Sequence, residues 1–172
     1  MHSLLEQLEG GDRRSIGRSP QVVAEVLADP SLFEVVFSGM SEPNPLVRSR
    51  CADAVEKITA RHPEYLDAHK GQLLRLAGAA TQQEVRWHIA QLISRVKLKR
   101  AERRKVVGIL SDYLADASKI VKTFAMQALA DIAADDAELR APIVQRLEEL
   151  TRTGSPAMKA RGRKVLAKLR LA

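Results

Sequence analysis

Residues 81–96, TQQEVRWHIAQLISRV, decide the fold: a turn leads into Val85-Arg86, and then Val85, Ile89, Leu92, Ile93 and Val96 fall at helical spacing. The pattern occurs four times. Asn44-Pro45-Leu46-Val47-Arg48 opens one copy, Gln82-Gln83-Glu84-Val85-Arg86 the next, Ser118-Lys119-Ile120-Val121-Lys122 the third and Ser155-Pro156-Ala157-Met158-Lys159 the fourth. The apolar residue before the basic one stands at 47, 85, 121 and 158, so the intervals are 38, 36 and 37 residues, a period at which self-similarity means stacked helical units.

Counting from the basic residue, the seventh position holds Val55, Ile93, Leu129 and Leu166, and the tenth holds Ile58, Val96, Ile132 and Leu169. Both columns are aliphatic and belong in the core. The third position, with Cys51, Ile89, Ala125 and Gly162, is mostly small and suits close helix approach. Asn44, Ser118 and Ser155 are expected to cap their helices; in the second copy Thr81 is the expected cap. Intervening helices are expected at 64–79, 101–115 and 137–152, each with one apolar side. Ahead of the regular copies, Leu4, Leu5 and Leu8 mark a short terminal helix that stops at Gly10-Gly11. Ser19-Pro20 reads as an N-cap with proline at the first helical position, and Asp29-Pro30 as the next boundary.

Antiparallel helix pairs repeated along a chain form an α-solenoid, in which each unit buries its apolar face on its neighbours. The expected fold is therefore all-α: a right-handed α-solenoid of about five antiparallel helix pairs. Residues 1–172 are expected to form one domain, with 1–29 as irregular N-terminal capping helices and 30–172 as regular repeats. The segments EPNPLVRSRCADAVEKI, TQQEVRWHIAQLISRV, DASKIVKTFAMQALADI and GSPAMKARGRKVLAKL resemble the HEAT-repeat family, including its HEAT-like bacterial variants. Lys122 and Lys159 depart from the arginine of that pattern. The resemblance implies architecture and leaves activity open.

At 172 residues and 45% hydrophobic, the chain has enough apolar material for a continuous core, while 3% aromatic content favours helix on helix over sheet. The lone Cys51 excludes an internal disulfide, and no apolar run is long enough to span a bilayer. Without a signal-peptide pattern, a cytoplasmic, reducing setting is the simplest expectation. Charge is uneven: residues 1–94 carry 10 Lys and Arg against 12 Asp and Glu, and residues 95–172 carry 18 against 9. Such asymmetry attracts nucleic acid, anionic surfaces or acidic proteins without choosing among them.

Catalytic constellations are missing from the sequence. His2, His62, His69 and His88 form no HExxH motif and none is followed by glutamate; there is no CxxC and no phosphate-cradling glycine loop. No metal site or cofactor is expected. Cys51 shares a packing column and reads as a buried small residue, despite Arg48 and Arg50 nearby.

Trp87 has no counterpart in the other copies, where Ser49, Thr123 and Ala160 stand instead. The core stripe turns it to the other side of its helix, beside Gln91 and Arg95. In HEAT-like stacks the second helix of each pair lines the concave face, which implies partner-binding residues Trp87, Gln91, Arg95, Asp53, Lys57, Gln127 and Lys164. Two readings of the indole stay open: an anchor for a partner, or a lid packed on the adjacent repeat. Lys99, Arg100, Arg103, Arg104, Arg161, Arg163 and Lys168 are anion-binding candidates, set against the ordinary reading of a charge run as a solvated helix face.

The expected function is a non-catalytic binding or scaffold module for a protein partner. The alternative is a nucleic-acid-binding protein using the basic second half. In outline the chain resembles the HEAT-like alkylpurine DNA glycosylases, but it has one tryptophan where that chemistry uses several groove aromatics, so glycosylase activity is not expected. Leu169 and Leu171 at the carboxyl end leave the oligomeric state open.

Overall fold

The computed structural model describes residues 2–12 and 15–171, and among these every regular element is a helix. Packing divides the chain into two compact units, residues 1–96 and 97–172.

The first unit contains α1 (Ser3–Glu6), α2 (Ser19–Ala28), α3 (Phe33–Ser38), α4 (Pro45–Arg61), α5 (Lys70–Ala79) and α6 (Gln83–Ile93), with 3-10 turns at Pro30–Leu32, Gly39–Ser41 and Pro63–Leu66. Helix α4 is its centre and packs on α2, α3 and α6. Its stripe Val47, Cys51, Val55 and Ile58 is fully buried, and the valines and isoleucine each contribute about 1.5–3 kcal/mol when removed from water. The second unit consists of α7 (Arg100–Leu114), α8 (Lys119–Asp135), α9 (Ala137–Thr153) and α10 (Pro156–Leu169). There α8 is the centre, in contact with α7, α9 and α10.

All three repeat columns are buried in the four copies, including Ile89, Ala125 and Gly162 at the third position. Gly162 has a specific reason to lack a side chain: a Cβ there would collide with the Thr151 side chain of α9. The expected caps on three copies are present. Asn44 accepts from the Leu46 amide at 3.0 Å, Ser118 from Val121 at 3.4 Å and Ser155 from Met158 at 3.3 Å.

Two expected caps are corrected. Helix α6 follows Gln82 rather than a Thr81 cap, and the Gln82 side chain reaches α4 instead, accepting from Arg48 Nε at 2.8 Å and donating to the Pro45 carbonyl at 2.9 Å. Ser19 lies inside α2 with Arg18 at the cap position; its hydroxyl donates to Asp53 Oδ2 at 2.6 Å and is fully buried. In both cases a partner one repeat away takes the polar side chain. The helix expected from residue 64 begins as the 3-10 turn Pro63–Leu66, and α5 proper starts at Lys70.

The arginine of the Val-Arg pair now has a mechanism. Arg48 Nη1 donates to the Glu42 carbonyl at 2.8 Å and Arg86 Nε to the Ala80 carbonyl at 2.7 Å, so each guanidinium ties its helix to the backbone six residues earlier. Ala80 ends α5, and its carbonyl is one that the helix leaves without an internal donor.

Candidate recognition surfaces

In the first unit, Trp87 is half-buried on α6, beside the buried run Val85, Ile89, Leu92 and Ile93. It lines an open recess of about 470 Å³ together with Ser49 and Asp53 of α4, Glu84 and His88 of α6, and Ser15 and Ile16 from the segment before α2. The indole therefore shares an open recess with side chains of α4, of its own helix and of the segment before α2. Ile16 is 47% exposed and is, with Trp87, the apolar part of an otherwise polar lining.

The floor of the recess is electrostatically ordered. Asp53 Oδ2 accepts from Ser19 Oγ at 2.6 Å and from Lys57 Nζ at 2.7 Å, so the carboxylate is held at the wall with its charge countered. Burial lowers the His88 pKa, against the raising influence of Asp53 and Glu56, and favours neutral imidazole at neutral pH. Its Nδ1 is buried without a hydrogen-bond partner among the described residues. Glu84, half-buried, adds a second carboxylate to the lining.

Of the residues expected to contact a partner, Trp87 and Asp53 are thus brought together. Lys57 is engaged with Asp53, and Gln91 turns its amide back to the Trp87 carbonyl at 3.3 Å. Arg95 joins α6 to α4: it donates to the Glu56 carbonyl at 2.6 Å and to Thr59 Oγ1 at 2.7 Å, and forms an ion pair with the Glu56 carboxylate. Its guanidinium is committed to the interior of the unit.

Arg50 is the residue that sequence reasoning missed. It is 4% exposed, and its guanidinium donates to the carbonyls of Leu8 at 2.8 Å, Gly10 at 2.7 Å, Asp12 at 3.1 Å and Ser15 at 3.2 Å. It fastens the segment that supplies Ser15 and Ile16 to the recess. Gly17, at φ +54°, passes so close that a Cβ would lie 2.6 Å from Arg50 Cζ. The available signal was the glycine density of 10–17, which marks backbone in left-handed conformations.

The second unit separates its two basic runs. Arg100 donates to both Glu138 oxygens at 2.6 Å, Arg104 reaches the same carboxylate at 3.2 Å, and Arg103 pairs with Asp136 at 2.9 Å. Asp136 also caps α9. Burial opposes ionisation there, but the Leu139 and Glu138 amides and Arg103 outweigh it and lower the pKa. On α10, by contrast, Arg163, Lys164 and Lys168 are exposed and make no ion pair among the described residues. Lys99, at the start of α7, is exposed as well. Gln127 and Arg161 bond to each other across α8 and α10 at 2.9 Å.

Cys51 is fully buried, and burial, aided by the Glu42 charge, pushes its thiol up to about 12. Among the described residues, no group of three His, Cys, Asp or Glu side chains is arranged to hold a metal ion, and no helix is long and apolar enough to cross a membrane.

No protein-family model matches the sequence, and no curated protein matches it. Solved structures do. The chain resembles the crystal structure of an engineered protein with a TM-score of 0.66 at 16% identity, covering 98% of this chain and 78% of that one. It also resembles computationally designed armadillo repeat proteins for modular peptide recognition, with a TM-score of 0.62 at 17% identity, covering 95% and 79%. At such identities the likeness establishes the fold alone: an all-α, repeat-like solenoid of stacked helices of the armadillo/HEAT-like kind.

Proposed function

We propose that the chain is a non-catalytic recognition module that binds a protein segment, with Trp87 as the anchor of the site in the first unit. The observation that carries this reading is the half-buried indole on an open recess lined by polar side chains from two helices and the segment before α2. Tryptophan offers a large apolar face with a polar N–H, and it is among the side chains enriched at the energetic centres of interfaces. The fold supports the reading, since stacked helices supply extended surfaces, and one of the similar solved structures was designed for peptide recognition. Asp53 and Glu84 give the recess its polar selectivity, and Arg50 and Arg95 act indirectly by holding its walls.

The test is selection of binding peptides from a displayed library on the intact chain, followed by affinity measurements with Trp87→Ala. Loss of at least tenfold in affinity is expected, with helicity unchanged and the melting temperature moved by only a few degrees. A variant that melts far lower while the remaining folded fraction still binds would assign Trp87 to packing and remove the anchor.

A further inference from the structure

We propose that the α8–α10 face of the second unit docks an acidic peptide segment that also carries an apolar side chain. The inference rests on the reading of the chain as a protein-recognition module, but it uses residues of the other unit and a different chemistry.

The apolar part is on α8. Ile120 is 50% exposed, in a helix whose other large aliphatic residues are buried. One turn further on the same side is Phe124, half-buried. The cationic part comes from α10. The Arg161 guanidinium sits over the Phe124 ring, 5.6 Å from its centroid, and Nη1 donates to Gln127 Oε1 at 2.9 Å. Gln127 in turn donates to Asp131 Oδ1 at 2.9 Å. A ring and an amide hold the guanidinium in place, and neither cancels its charge. Most of its five N–H donors remain to be used.

Lys164 and Lys168 follow at helical spacing on the same flank of α10, and Lys168 borders a small recess with Gln127 and Asp131. Asp131 of α8 lines the same recess as Lys168, and Gln127 holds its Oδ1 without cancelling its charge, so the flank sets three cations against this one carboxylate. The result is three cations along about 10 Å of helix, next to an exposed isoleucine. The cations of α7 supply the contrast, because Arg100, Arg103 and Arg104 already have Glu138 and Asp136 as partners.

The chemistry favours a peptide over a nucleic acid. Ile120 gives nothing to a phosphate, and a stacking base would have to displace Arg161 from Phe124. An extended segment fits both halves: side chains on one side recur every ~7 Å, so two carboxylates fall within the ~10 Å row of Arg161, Lys164 and Lys168, whose long side chains absorb the difference in spacing, while an apolar residue covers Ile120. The second unit, with 17 Lys and Arg against 9 Asp and Glu in residues 97–172, also steers acidic partners.

The test uses the intact chain and three fluorescent probes in anisotropy titrations at low and moderate salt: a ten-residue peptide with alternating glutamates and two leucines, the same peptide with glutamine for glutamate, and a single-stranded oligonucleotide of equal charge. The glutamate peptide is expected to bind at least tenfold more tightly than the other two. The double substitution Lys164→Gln/Lys168→Gln should weaken it about tenfold and Ile120→Asn about fivefold, with circular dichroism unchanged, while Trp87→Ala leaves it intact. Equal or tighter binding of the oligonucleotide overturns the proposal in favour of a phosphate-binding face. Absence of binding at low salt overturns it in favour of a solvated helix. Loss on Trp87→Ala would move the site to the first unit, so failure here and failure of the Trp87 reading are distinguishable.

Discussion

Arg50 and Arg161 occupy the same place in their copies, two residues after the basic member of the repeat motif, and their fates are opposite. Arg50 is enclosed, with four carbonyl acceptors from the segment before α2. Arg161 is half-buried, with one amide acceptor and one ring. Register fixes the direction in which a side chain leaves its helix; what it meets there decides whether it holds the fold or remains for a partner. For Arg50 the decisive element is a glycine-rich strap, and for Arg161 it is Phe124 from the preceding copy.

Removing each guanidinium should expose the difference. Arg50→Met leaves the carbonyls of Leu8, Gly10, Asp12 and Ser15 without their donor. Urea unfolding is expected to show a loss of about 3–5 kcal/mol, and amide exchange around residues 2–20 should quicken. Arg161→Ala should cost less than about 1 kcal/mol, as for a half-solvated contact. Equal losses would break the comparison.

A smaller effect sharpens it. Gly17→Ala forces a side chain into a left-handed conformation and against Arg50 Cζ. A cost of about 1–3 kcal/mol is expected. Combined with Arg50→Met, the losses should fall well short of additive, because both substitutions release the same strap.

Cys51 gives the smallest expected shift. It follows Arg50 in sequence, yet the guanidinium faces carbonyls and burial keeps the thiol protonated, with its pKa raised to about 12 from 9.0. Below pH 9 the thiol is neutral in both folded and unfolded chains. Between the two values the unfolded thiol ionises and the folded one does not, so stability falls as pH rises. Relative to Cys51→Ala, the loss at pH 10 should be about 1.4 kcal/mol. Alkylation of the native chain at pH 8 should be slow until it is unfolded.

The helices, three caps and the buried columns were legible because they depend on local spacing: Val55, Ile93, Leu129 and Leu166 recur where a packed stripe must recur. What was illegible lies one repeat away. Arg48 meets Gln82, Arg95 meets Glu56, Arg100 meets Glu138 and Arg161 meets Gln127, each across 34 to 39 residues. Local patterns carry no record of such pairs, so the sequence does not show that α4 engages Arg95, or that Asp136 and Glu138 pair with three arginines of one basic run and leave Arg163, Lys164 and Lys168 of the other without ion pairs among the described residues. Trp87 stands out in the sequence as unique to its copy, whereas the strap residues Ser15 and Ile16 that complete its recess carry no signal beyond nearby glycines.

The single tryptophan has an optical consequence. Trp87 belongs to the first unit, and the second contains no indole, so intrinsic emission excited at the red edge follows residues 1–96 alone while far-ultraviolet circular dichroism sums both units. Superimposed denaturation curves from the two signals would mark one cooperative transition, and separated curves would measure directly how far each unit folds on its own.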